Sequence, residues 1–93
     1  MSTLKAATIK FAEKVGLTLI LDVETEDYPI LEIWEKGEDN EYILTYLQNA
    51  DGSFTFRGNN YLNTMAKEDL PAYIADEKAL KPVLEYIAKE VIA

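Results

Sequence analysis

A chain of 93 residues builds one domain, 1–93, and at 48% hydrophobic and 28% charged it is neither a disordered tail nor a fibrous repeat. Its 17 acids against nine bases give a net charge of −8, and it contains neither Cys nor His. That excludes a disulfide framework, a thiolate nucleophile, a Cys zinc site, and the commonest general base and transition-metal ligand.

The chain opens with an amphipathic helix. Ser2 or Thr3 is placed to cap it, and Leu4, Ala7, Phe11, Ala12 and Val15 fall on one face. Gly16 is the expected stop, and Ile9 lies off the apolar face. Four strand-like runs follow, Leu17–Glu24, Pro29–Lys36, Glu41–Gln48 and Ser53–Arg57, rich in β-branched and aromatic residues. Their connections are short, and Asp51-Gly52 is a hairpin-turn dipeptide, so the strands form an antiparallel meander. The two middle runs are apolar on both sides, which predicts a sheet covered on both faces near its centre. The register of the first hairpin stays open, because a one-residue change in loop length moves Trp34 to the opposite face relative to Leu21.

Beyond Arg57 the pattern turns helical. Tyr61–Lys67 suits one or two turns, and Asp69 suits the cap of a short turn holding Leu70, Tyr73 and Ile74. Leu80, Val83, Leu84, Ile87 and Val91 form the stripe of a last helix, with Pro82 expected in its first turn. The fold class is therefore α+β, a four-stranded antiparallel meander with an N-terminal helix and C-terminal helices in the order α-β-β-β-β-α-α.

No run of apolar residues approaches the roughly 20 that a bilayer span needs, and no leader pattern of basic then apolar residues opens the chain. The expectation is a cytoplasmic protein that meets no membrane. Dedicated catalytic or cofactor motifs are also missing. Neither serine, Ser2 or Ser53, has a His to activate it. A calcium-loop alignment of Asn49–Ser53 would place Leu47 in the first ligand position, where it cannot ligate. No glycine belongs to a phosphate-binding motif, and the bases are too scattered for a nucleic-acid groove. The expectation is a non-enzyme with no metal, no cofactor and no direct nucleic-acid binding.

The specific feature is where the charge lies. Nine of the 17 acids, Asp22, Glu24, Glu26, Asp27, Glu32, Glu35, Glu38, Asp39 and Glu41, fall in one window with a single base, Lys36. That window carries the whole net charge, and the rest of the chain is neutral, eight acids against eight bases. Carboxylates on two neighbouring strands and their loops make a lattice of negative charge, with about 6.6–6.8 Å between same-face positions on a strand. Duplex DNA offers a comparable array, one charge per ~1.7 Å of axis. Trp34, inside the window, is a candidate interface anchor, since aromatics are enriched at such surfaces. The competing account is that the acids serve solubility and blunt sheet edges.

Small size, the absence of Cys and His, the helix–meander–helix layout and the acids of 22–41 together make a profile. In that profile the chain resembles the small phage-encoded acidic inhibitors, the anti-restriction and anti-CRISPR proteins of DNA-mimic type. Acidic immunity proteins that neutralise basic nucleases share the same logic. The resemblance covers the whole chain but no residue motif. It implies a stoichiometric inhibitor of a basic nucleic-acid-handling protein, acting in the host cytoplasm. The alternative is an adaptor module that binds another chain, or its own copy as a homodimer, through an apolar sheet or helix surface.

Overall fold

A computed structural model of the chain describes residues 4–23, 29–37, 42–59 and 69–90. In chain order the elements are α1 (Ala6–Lys14), β1 (Leu17–Asp22), β2 (Ile30–Glu35), β3 (Leu44–Gln48), β4 (Phe54–Asn59), β5 (Tyr73–Ile74) and α2 (Glu77–Glu90). The strands form one antiparallel sheet in sequential order, the meander that the short connections predict. The α+β class holds, with one correction to its strand count. Tyr73 and Ile74 form a fifth strand against Thr55 and Phe54 instead of a helical turn. Pro71 disfavours helical backbone at Leu70, and the extended backbone lets Ile74 enter the core opposite Phe54. The predicted helical stretch Tyr61–Lys67 lies outside the described residues, as do the proposed caps Ser2 and Thr3 and the stripe residue Val91.

The register of the first hairpin is now defined. Leu19 lies opposite Ile33, Leu21 opposite Leu31, and Trp34 opposite Thr18, so Trp34 and Leu21 occupy different faces. One face of the sheet carries Leu17, Leu19, Leu31, Ile33, Leu44, Tyr46, Phe54 and Ile74 into a single core with Ala12 of α1 and Leu80, Val83, Leu84 and Ile87 of α2. Helix α1 packs on β1 and against α2. Among the described residues both helices cover this same face. On the second face of the middle strands Trp34, Leu47 and Glu32 are half-buried and Thr45 is buried, in line with a sheet covered near its centre on this side too. Ile30 is buried there as well, at 3% exposure.

Two local findings explain the helices. On α1, Thr8 rather than Ala7 faces inward. Its hydroxyl donates to Glu77 Oε1 at 2.8 Å, which removes the usual penalty for burying it. The same carboxylate oxygen accepts the backbone N–H of Lys5, the N-cap residue, at 2.9 Å, and Lys5 makes no side-chain cap of its own. Gly16, at φ +96°, ends α1 as expected. On α2, Asp76 caps the helix by accepting the Ala79 amide at 2.8 Å. The helix therefore starts early enough that Pro82 lies inside it, beyond the first turn where it was expected. Lys78 thus loses the donor that residue 82 would otherwise supply to its carbonyl.

Candidate functional site

The face of the sheet opposite the helices is built by strand alternation. It presents Thr18, Ile20 and Asp22 from β1, Ile30, Glu32 and Trp34 from β2, and Thr45 and Leu47 from β3. Thr55 of β4 and Tyr73 of β5 continue the same row of positions. The face is mixed. Ile20 is 44% exposed and Tyr73 57%, and Val23, just past β1, is 52% exposed.

Trp34 is held in place on this face. Its indole N–H donates to Glu32 Oε1 at 3.1 Å, and its ring meets Tyr42 edge-on, with centroids 6.2 Å apart at 79°. The indole is half-buried with its one polar atom satisfied. Beside it, Thr45 is 1% exposed and its hydroxyl donates to the Gly58 carbonyl at 3.3 Å. A bulge in β4 accompanies this bond. Gly58 pairs with Thr45 and Phe56 with Tyr46, leaving Arg57 as the extra residue.

Of the ten residues expected to bind a partner, four are described. Asp22, Glu32 and Trp34 share the face opposite the helices, Asp22 and Glu32 as diagonal neighbours across the first hairpin. Glu35 pairs opposite Leu17, on the helix side of the sheet, and is exposed there at the strand end. Glu24, Glu26, Asp27, Glu38, Asp39 and Glu41 lie outside the described residues. Sequence reasoning did not select Leu47 or Tyr73 for this face. The register that puts Leu47 opposite Ile30 and Tyr73 opposite Thr55 is a tertiary property.

On the helix side, Val15, Pro82, Glu85, Tyr86, Ala88 and Lys89 line a shallow hollow of about 450 Å³. Its charged groups, Glu85 and Lys89, are exposed. Tyr86 donates to Asp69 Oδ2 at 3.0 Å. Partial desolvation first, then that bond and the charges of Asp69 and Glu90, push the Tyr86 phenol upward, so it stays protonated. Tyr46, inside the core, donates to the Pro71 carbonyl at 2.9 Å, and burial holds its phenol far above the usual range. Both tyrosines act as hydrogen-bond donors at neutral pH. Among the described residues no three metal-ligating side chains gather into a cluster.

No helix of the described residues is long and apolar enough to cross a membrane. Comparison with protein-family models, with curated proteins and with solved structures returned no match. The functional reading therefore rests on charge placement and on the sheet face opposite the helices.

Proposed function

We propose that this chain is a small acidic, non-enzymatic inhibitor that binds the basic cleft of a nucleic-acid-handling protein and excludes nucleic acid from it. The supporting observation is a coincidence of charge and surface. The stretch carrying the entire net charge of −8, 22–41, begins at the last residue of β1 and includes all of β2, and Asp22, Glu32 and a pre-set Trp34 share the sheet face opposite α1 and α2. Carboxylates steer the encounter with a basic groove, and the indole edge and Ile20 supply the apolar contact that electrostatics lacks. Like charges on neighbouring strands are costly. A pair at ~7 Å repels by about 0.6 kcal/mol in water before salt screening. A surface that keeps such pairs together gains from a cationic partner.

The test uses a panel of basic DNA-binding nucleases and follows DNA binding by fluorescence anisotropy. The chain blocks DNA binding by at least one of them at stoichiometric concentration, and the block weakens steeply as salt rises. Reversing Glu24, Glu26 and Asp27 to Lys abolishes it. Trp34→Ala weakens it without changing the salt slope. Inhibition that survives the triple reversal overturns the proposal, and so does a salt-independent block.

A further inference from the structure

The two edges of the sheet differ. β5, at one end, is two residues long, and such short strands give a neighbouring chain little to pair with. β1, at the other end, has six residues with no Lys, Arg, Pro or Gly, and among the described residues has a strand neighbour on one side only. The ladder phase identifies its outward groups. The Lys36 amide donates to the Gly16 carbonyl at 3.0 Å, so Gly16, Thr18, Ile20 and Asp22 direct their backbone groups toward β2. The N–H and C=O groups of Leu17, Leu19 and Leu21 point away from the sheet. Next to them stand Ile20 and Val23, at 44% and 52% exposure.

With Val23, the residue that follows it, the strand is also a palindrome in polarity. Outward from Ile20 come Leu19 and Leu21, then Thr18 and Asp22, then Leu17 and Val23: apolar, polar, apolar. We propose that β1 is a self-pairing edge, at which two copies of this chain join as antiparallel strands about a two-fold axis through Ile20. Backbone phase demands that outward-bonding residues meet outward-bonding residues. Leu19 then pairs with the partner's Leu21, and Leu17 with the partner's Val23. Ile20 meets the partner's Ile20 as a non-hydrogen-bonded pair with Cα atoms about 4.5 Å apart. Thr18 lies opposite the partner's Asp22, polar against polar. Slipping by two residues in either direction sets Ile20 against Thr18 or Asp22, so this register alone matches every pair. The contacts are reciprocal, as an isologous interface requires. Charge agrees, because the Asp22 end of each strand adjoins the partner's Gly16 end, where exposed Lys14 and Lys36 flank the strand. This surface is independent of the inhibitor reading and stands whether or not that reading holds.

Two strands this short bury less than the ~1,200 Å² of a standard interface, so the dimer is concentration-dependent. The chain has no cysteine, which makes cross-linking clean. Under mild oxidation Ile20→Cys forms a disulfide dimer, since a Cα separation of about 4.5 Å lies within disulfide range. Thr18→Cys alone does not, because the two copies of that position are about 14 Å apart across the axis. An equimolar mixture of Thr18→Cys and Asp22→Cys cross-links. By sedimentation the unmodified chain passes from monomer toward dimer between about 1 μM and 1 mM, whereas folded Ile20→Lys stays monomeric. A chain that is monomeric throughout that range overturns the proposal. So does Thr18→Cys cross-linking as readily as Ile20→Cys.

Discussion

Replacing Glu77 with Ala tests how the two helices are locked to one face of the sheet. Glu77 Oε1 accepts the Thr8 hydroxyl at 2.8 Å and the Lys5 amide at 2.9 Å, so one side chain of α2 caps α1 and satisfies its buried hydroxyl. Thr8 is 2% exposed, and without Glu77 its hydroxyl loses its acceptor. An orphaned buried hydroxyl costs about 1–3 kcal/mol, and the exposed Lys5 amide, which water can reach, adds about 0.5 kcal/mol. The expected loss is about 2 kcal/mol, read as a lower urea midpoint at unchanged slope and a Tm lower by about 10 °C for a domain of this size. Glu77→Gln keeps the acceptor oxygen and loses less than about 1 kcal/mol. In a Thr8→Val background the hydroxyl is already gone, and Glu77→Ala then costs only about 0.5 kcal/mol. Additive losses across this cycle refute the assignment.

Three further expectations follow from the same structure. Phe at Tyr46 removes the bond to the Pro71 carbonyl and costs about 1 kcal/mol. Burial raises the folded phenol above its unfolded value near 10, so its contribution is complete below that pH and is lost as pH rises further. The Tyr46→Phe chain accordingly shows a shallower alkaline fall in stability. In the β3–β4 turn, Asp51 is held below the usual carboxylate range by the Ser53 hydroxyl and then the Ser53 amide, so its contribution is present above the unfolded value near 3.8 and lost as pH falls through the folded one. Asp51→Asn flattens the acid limb of the stability curve, and Gly52→Ala, at φ +89° with open space around the new Cβ, costs about 1–2 kcal/mol from backbone conformation alone. Pro82→Ala restores an amide donor for the Lys78 carbonyl at an exposed position and raises thermal stability by about 1–3 kcal/mol, with no gain counting against the missing-bond account.

Elements carried by local chemistry were legible in the sequence. Gly16 ended α1, Gly52 adopted positive φ in the turn after Asp51, and the stripe Leu80, Val83, Leu84 and Ile87 was buried. What escaped depended on distant partners. Thr8 faces the core because Glu77, 69 positions away, satisfies it, and no periodicity encodes that bond. Tyr73 and Ile74 are extended because β4 offers them an edge, in a stretch whose spacing also suits a helical turn. Pro82 was misplaced because the cap at Asp76 starts α2 about a turn before the position that proline preferences favour. For the candidate surface, the clustering of acids was visible at once. Which acids share a face with Trp34 was not, because that depends on a register two loop lengths could have set oppositely.

The charge and the β1 edge bear on each other. An unblunted apolar edge is normally an aggregation hazard. Here each copy approaches another carrying a net charge of −8, so random edge encounters are repelled over the ~10 Å Debye length of 0.1 M salt. Only the palindromic register keeps Ile20 off a polar partner, while the antiparallel sense turns the Asp22 end toward Lys14 and Lys36. Pairing then consumes the long edge of both copies and leaves a sheet bounded by the two-residue β5 at each end, so assembly closes at two. The two proposed interactions consequently respond to salt in opposite senses. Binding to a basic cleft draws on attraction and weakens as salt rises. Self-pairing works against net repulsion and tightens until screening is complete. Measuring both from about 0.05 to 0.5 M salt separates them. Self-association that weakens across this range contradicts an edge closed by apolar pairing, and a cleft complex that tightens contradicts one driven by the acids of 22–41.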